Sequence, residues 1–493
     1  MRNLNIKLIL IASVITATFF MSCSDDFVDV DPTNENSEDY FNSEEDYQLA
    51  LVGAYDLLQA TYLNVMVGEI ASDNTLAGGE SATDTPGIQE IDNMTHGTIN
   101  QQLRDIWGWM FSGVNRANYI LEFQDKTDFN GKEQIIAQAR FLRAYYYFEL
   151  VKWFGDVPLA VDQRLLFGDQ FNAERTPKAE VYNQIELDLI FAAETLPATQ
   201  AENGRITSGA ARALLGKAYL YQNKFTEAAA AFDLVIAGPY DLVTDYATIF
   251  EQEGENSVES VFEVQYTDKE GAGFGCLQCS EGNVAVGFNG IRNYSGPQFD
   301  SGFSFNVPVQ EVYEAFEPGD SRRDVAILNI VEFAAANGAT YNEGFEHTGF
   351  YNKKYIARKG DANIGDAALT NPNNYRSIRF ADVLLMAAEA HNRKATPNDA
   401  LAQEYLNRVR RRAFGDTNHD ITATGAALTD FIYDERRLEL VGEGHRFFDL
   451  VRTGRAAQNI PGFTTGKNEL FPIPAIEIQL AGNRWEQNQG YTN

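Results

Sequence analysis

Apolar positions along this chain fall into three regimes: one early run, long stretches with a helical period, and a middle with neither. Residues 8–21 are predominantly apolar and follow a short start that carries Arg2 and Lys7. That run is shorter than the roughly 20 residues a helix needs to span a bilayer, and it fits the hydrophobic region of an export signal. Helical period begins at "SEEDYQLALVGAYDLLQATY", with Ser43 as N-cap and Glu44 to Asp46 at the positive end. A Gly/Ser/Thr/Asp-rich loop is expected from Ser72 to about Thr98, and "IWGWMFSGVNRANYILEF" supplies a further helix. In "EQIIAQARFLRAYYYFELVKWFGDVP", Ile135, Ala139, Leu142 and Tyr146 form one stripe, and Ala137, Phe141, Ala144 and Phe148 form a second. A helix apolar on two stripes packs between neighbours on both sides. Gly155 can end it, and Pro158 blocks its resumption.

The segment "ITSGAARALLGKAYLYQNKFTEAAAAFDLVIAGPYDL" predicts two helices joined by Gln222-Asn223-Lys224. Leu215, Gly216, Tyr219, Phe225, Ala228 and Phe232 stand at the spacing of a tetratricopeptide repeat. A second pair is expected in "IRFADVLLMAAEAHNRKATPNDALAQEYLNRVRRRA". The chain therefore predicts a mainly α, tetratricopeptide-like helical-repeat scaffold. Residues 251–375 break the pattern: they are rich in Gly, Asn, Ser and aromatics, with short β-like runs such as "SVFEVQY". Long irregular insertions of this kind often carry function. The end, "ELFPIPAIEIQLAGNRWEQNQGY", is expected to be extended rather than helical.

Composition narrows the partners. The 493 residues are 44% hydrophobic, enough for a real core, and carry a formal charge of −31. Loss of residues 1–22 removes only Arg2 and Lys7, leaving the mature chain two units more negative. Such a field repels polyanions and argues against nucleic-acid binding. Beyond Cys23, the cysteines are Cys276 and Cys279, in "CLQC". This spacing suits a redox dithiol, half a zinc site or a local disulfide. Zinc lacks a second ligand pair, and the loop composition is wrong for a thioredoxin helix. In an exported chain the preferred reading is a disulfide that stiffens the loop.

Catalytic signatures are missing. "GFTTGK" at 462–467 is one residue short of a phosphate loop, and Asn468 stands where Ser or Thr is needed. "GAGFG" has no strand–helix unit around it. No GxSxG, HExxH or EF-hand pattern occurs, and neither a metal nor a cofactor is expected. Glu443, His445 and Asp449 sit among Arg436, Arg437, Arg446 and Arg452, and read as ion-paired helix ends rather than acid–base machinery. A glycosidase needs only two well-placed carboxylates, which a chain this acidic can always hide.

Ser22-Cys23 resembles the lipobox of bacterial lipoproteins, although Phe20 and Met21 depart from its commonest form. Residues 1–22 then read as a removed signal, 23–40 as an acidic tether, and 41–493 as one body with the insertion at about 251–375. "CSDDFVDVDP", "ARFLRAYYYFELVKWFGDVPL", "IRFADVLLMAAEA", "LNRVRRRA", "DERRLELVGEGHRFFDLVRTG" and "LFPIPAIEI" occur in this order. Together they resemble the SusD/RagB family of outer-membrane nutrient-binding lipoproteins. The resemblance implies four tetratricopeptide-like pairs as scaffold and loops bearing a glycan site. It also implies a lipid anchor at Cys23, a place at the cell surface on the outer membrane, and a SusC-like TonB-dependent transporter as partner. The family binds oligo- or polysaccharide without acting on it. The rival readings are a surface glycosidase or lyase with an unrecognised site, and a purely structural repeat scaffold.

In the family, glycan sits on loops after the first helix and in the central insertion. The matching stretches here are "SDNTLAGG" and "GFGCLQCSEGNVAVGFNGIRNYSGPQF". Phe288, Tyr294 and Phe299 are the candidate sugar-stacking faces, or else fill a small satellite core. Asp73, Asn74, Asn289 and Arg292 are the candidate polar contacts, and a Cys276–Cys279 link would order the loop. Arg292 keeps an alginate-like uronate possible, while the acidic surface makes a neutral β-glucan at least as likely. Trp107, Trp109 and Trp153 fall on helices and read as structural, so stacking is expected from Phe or Tyr.

Overall fold

A computed structural model describes residues 40–492 apart from 167, 170–171, 270–272 and 362–368. The signal segment, Cys23 and nearly all of the tether lie outside the described residues. The helices that make the frame are α1 (Glu44–Asp56), α2 (Tyr62–Ile70), α3 (Pro86–Asp92), α4 (Gln101–Glu122), α5 (Lys132–Phe154), α6 (Lys178–Thr195), α7 (Ser208–Tyr221) and α8 (Phe225–Ile236). The insertion contributes a short α9 (Ala285–Asn289), and α10 (Phe380–Arg393), α11 (Asp399–Phe414), α12 (Gly425–Glu439) and α13 (Arg446–Arg452) follow.

Successive helices pack as pairs, α4 on α5, α6 on α7, α7 on α8 and α10 on α11, and α8 lies against α10. Both stripes of α5 are filled: Phe141, Tyr146, Tyr147 and Trp153 have no exposed surface. Close approach is made by glycine. A Cβ on Gly216 would fall 2.5 Å from the Phe232 ring, and one on Gly113 would fall 2.6 Å from Tyr146. Ser43 and Asp46 form a reciprocal capping box on α1, and Gly155 ends α5 at φ 73°.

Between the helices lie short strands, paired two by two among the described residues. β1 (Thr75–Ala77) pairs antiparallel with β5 (Asn306–Pro308), and β2 (Ser260–Val264) with β8 (Tyr375–Arg379). β3 (Ile291–Arg292) runs parallel to β4 (Ser301–Gly302), and β6 (Ile327–Asn329) pairs with β7 (Phe350–Asn352). Two expectations need correction. The stretch after Ser72 is not wholly loop: it holds β1 and α3, because Pro86 starts a helix where a missing N–H costs nothing. The C-terminal stretch contains a helix, Ala475–Leu480, because Pro474 again stands at its N-terminal edge.

Charge is buried where β8 meets α12. Arg379 donates to Glu259, Glu439 and Glu443 at 2.7–2.9 Å. Arg412 joins Glu259 to Glu439, Arg322 reaches Glu435 and Glu439, and Lys354 holds Glu443 at 2.6 Å. The second charged group reaches α10: Arg436 pairs Asp382 and Asp449, and Arg452 pairs Glu389 and Asp449. Burial alone would raise these carboxyls, but the surrounding guanidinium and ammonium groups outweigh it and hold Glu439, Glu443, Asp382, Glu389 and Asp449 below the usual range.

A lowered folded pKa gives stability that is present above the ordinary carboxylate range and lost as pH falls toward the folded values. His445, kept down to about 3 by burial and then Lys217, and His96, kept down to about 4 by burial, act in the same sense. Their unfolded imidazoles take up protons below about 6.5 while the folded ones stay neutral. Asp92, pushed up to about 6 by burial, opposes them, as do Glu69, Asp105, Glu255, Asp361, Asp434 and Glu477, whose carboxyls burial also raises, but these lack the dense cationic partners of the two buried clusters. Urea titrations from pH 7 to pH 3 are therefore expected to show a falling midpoint, steepest below about pH 4. A midpoint that holds constant to pH 3 would contradict this account.

Candidate binding cleft

A cleft of about 450 Å³ opens where α2, α3 and α4 face the insertion. Its apolar wall is a continuous series of rings. Trp109 lies 6.2 Å from Tyr62, Tyr62 lies 6.2 Å from Phe288, and Phe288 lies 5.9 Å from Phe303 and 5.5 Å from Phe305. Phe274 meets Phe303 edge-on at 5.6 Å and stands 60% exposed. Tyr62, Phe288 and Phe305 are the buried floor, while Trp109 and Phe303 are half-buried and offer accessible faces. Glu80, Asp84, Gln102, Asp105 and Arg292 supply the polar rim.

Local chemistry fixes each part. Trp109 follows Trp107 by two residues on α4, so the two rings leave opposite sides of the helix; Trp107 is buried and Trp109 reaches the cleft. The 303–305 segment is tied to α9 by backbone donors: Phe303 N–H to Gly287 O, Ser304 N–H to Gly290 O and Phe305 N–H to Phe288 O, at 2.8–2.9 Å. That approach requires glycine at 302, where a Cβ would fall 2.5 Å from Gly287 O. Asp105 accepts from Gln101 Nε2 at 2.6 Å, and burial pushes its carboxyl up. Cys276 and Cys279 are disulfide-bonded, and Leu277 between them lines the cleft.

Of the residues expected from sequence, the structure brings Phe288 and Arg292 to this cleft. The others go elsewhere. Tyr294 and Phe299 belong to a satellite core with Ile291, Leu328, Ile330, Tyr351 and Ile356, and the Tyr294 hydroxyl donates to Pro297 O. Asn289 is buried, donating to Tyr355 O and accepting from Asn306. Asn74 has no exposed surface and accepts from Arg437. Asp73 accepts both nitrogens of an Arg446 fork at 2.7 and 2.8 Å. It lines a separate polar cleft of about 740 Å³ with Asp92, Glu311, Glu346 and Arg437, which has no aromatic face among its described residues. Trp109, read as structural, packs against the core and also lines the cleft. Phe303, Phe305 and Phe274 were not expected: 303–305 lies outside any strand, with Ser304 in the left-handed region at φ 54°, so no periodicity in the sequence marks these rings.

Flat apolar faces with a few polar groups beside them suit a ligand whose C–H faces are apolar and whose edge carries hydroxyls. The fold and cleft together define a class: a helical-repeat protein with an open aromatic groove built jointly by its N-terminal segments and an irregular insertion. The SusD family model matches residues 259–470, and a model described as "Starch-binding associating with outer membrane" matches residues 26–220. A solved laminarin-binding SusD-like protein is 34% identical, with a TM-score of 0.82, over 92% of this chain and 100% of that one. Surface glycan-binding protein A from Bacteroides thetaiotaomicron, solved with laminarihexaose, is 29% identical at a TM-score of 0.79, over 90% and 99% of the two chains. SusD-like protein P2 of Formosa agariphila is 27% identical over 92% of this chain and 94% of its own. The chain belongs to the SusD family.

Proposed function

We propose that this protein is a cell-surface glycan-binding lipoprotein that holds oligo- or polysaccharide in the Trp109 cleft and passes it to a SusC-like TonB-dependent transporter. The observation that carries the reading is the ring series from Trp109 to Phe274 beside a polar rim, in a fold shared with laminarin-binding relatives. The ligand is bound and not cleaved. The deciding experiment is a panel of polysaccharides and oligosaccharides screened by affinity electrophoresis and calorimetry, followed by product analysis of any that bind. Steady release of shorter products would replace this reading with a glycosidase or lyase, and absence of binding across the panel would leave a structural scaffold.

Lipid attachment at Cys23 places the protein on the outer membrane. Cys23→Ala is expected to release it into the soluble fraction, and retention of that variant in the membrane fraction would refute the anchor. The disulfide has its own consequence here. Removing both sulfurs, as Cys276→Ser/Cys279→Ser, frees the loop that carries Phe274 and Leu277, which must then be ordered on binding. Affinity is expected to fall about three- to tenfold, with little change in melting temperature because the loop lies at the surface.

A further inference from the structure

Taking the Trp109 cleft as the glycan site, we propose that it selects by charge: its carboxylates admit neutral glycans and turn away uronic acids, because its guanidinium is already occupied. Among the described residues lining the cleft, Arg292 alone is basic, against Glu80, Asp84 and Asp105. Its side chain is 14% exposed. Nη2 donates to Phe303 O at 2.6 Å and to Asp84 Oδ2 at 3.4 Å, Nε donates to Ser304 Oγ at 3.2 Å, and Nη1 faces Glu80 Oε2 at 3.9 Å. A sugar carboxylate is bound well by a free fork of two neighbouring N–H groups. Here the Nε/Nη2 edge is spent on the protein itself, and the remaining nitrogen looks onto Glu80.

A uronate entering the cleft therefore meets three carboxylates with no open guanidinium edge, inside the field of a chain of net charge −31. A neutral pyranose meets the same groups differently. Its hydroxyls donate, and a carboxylate accepts through both oxygens. Asp84 is held for this task, since its Oδ2 also accepts from the Glu80 N–H at 2.8 Å. The arrangement makes Asp84 and Glu80 specificity-determining residues and removes Arg292 from the role of uronate receptor.

The test measures binding of the mature chain to laminarihexaose and cellohexaose, and to alginate and polygalacturonate hexamers, at 50 and 500 mM NaCl. A neutral hexamer is expected to bind with little salt dependence. The uronate hexamers should bind at least tenfold more weakly at 50 mM and gain affinity as salt screens the repulsion. In Glu80→Gln/Asp84→Asn two of the three carboxylates are neutralised while the Nε/Nη2 edge of Arg292 stays on Ser304 and Phe303, and the ratio of uronate to neutral affinity should rise at least fivefold. Equal affinity for both classes in the natural chain, or an unchanged ratio in the variant, overturns charge selection while glycan binding stands. A neutral hexamer whose binding ignores Trp109→Ala moves the site elsewhere and overturns the inference by that route. No binding by any hexamer or polysaccharide overturns the proposed function itself.

Discussion

Trp109→Ala is expected to weaken glycan binding by about 2 kcal/mol or more, roughly 30-fold, the cost of deleting a central aromatic contact. Trp109 is the large half-buried ring at one end of the series, supported from below by Tyr62 and continuous through it with Phe288. Truncation removes an accessible apolar face and leaves the floor in place. The fold should survive, because the neighbouring core is anchored by Trp107, which is 2% exposed and packs edge-on to Phe154. Calorimetric titration of both proteins, with their melting curves, checks the result. Unchanged affinity with an unchanged melting curve would remove the cleft from consideration. Tyr294→Ala, by contrast, should act on stability, since its ring lies in the satellite core.

The second large effect is on stability. Arg379→Met is expected to cost about 3–5 kcal/mol, because it strands buried carboxylates rather than because the ion pairs are intrinsically strong. The guanidinium is 1% exposed and contacts Glu259, Glu439 and Glu443, each itself almost wholly buried. Arg412, Arg322 and Lys354 remain to offset part of the charge, but none can occupy the space between the three. Urea unfolding followed by circular dichroism measures the loss. Adding Glu443→Gln to Arg379→Met should recover a measurable part of it, since one stranded charge is then neutral. Failure of the double variant to recover anything would mean that packing, not charge, dominates the site.

The scaffold was legible because its signals are local. Two apolar stripes, a glycine at the close contact and a Pro after the stop all fall within one helix or one turn, as in α5 and in the α7–α8 pair. The ion-paired reading was legible from arginine density for Glu443 and Asp449, whereas His445 departs from it, being buried, neutral and hydrogen-bonded to Lys217. The polar half of the cleft was not. Asp73 and Asn74 looked like free loop acceptors, yet Arg437 and Arg446 arrive from more than 360 positions away. Tyr294 and Phe299 carried no periodicity by which a core aromatic could be told from an exposed one. Trp109 is different, because a readable signal was present: two tryptophans spaced by two on a helix cannot share one face.

The cleft is assembled from distant parts of the chain. Tyr62 and Trp109 come from the N-terminal helices, and Phe288, Phe303 and Phe305 from the insertion nearly two hundred positions later. Their meeting is pinned by β1 pairing with β5, Thr75 opposite Pro308 and Ala77 opposite Asn306. Contacts of such long sequence separation are slow to form, since the intervening chain must first be closed into a loop. Docking of the insertion, and with it the proposed glycan groove, is thus expected late in folding. A molecule arrested with its N-terminal helices formed and its insertion undocked holds half a platform and no groove, so bound sugar marks a chain that has finished folding.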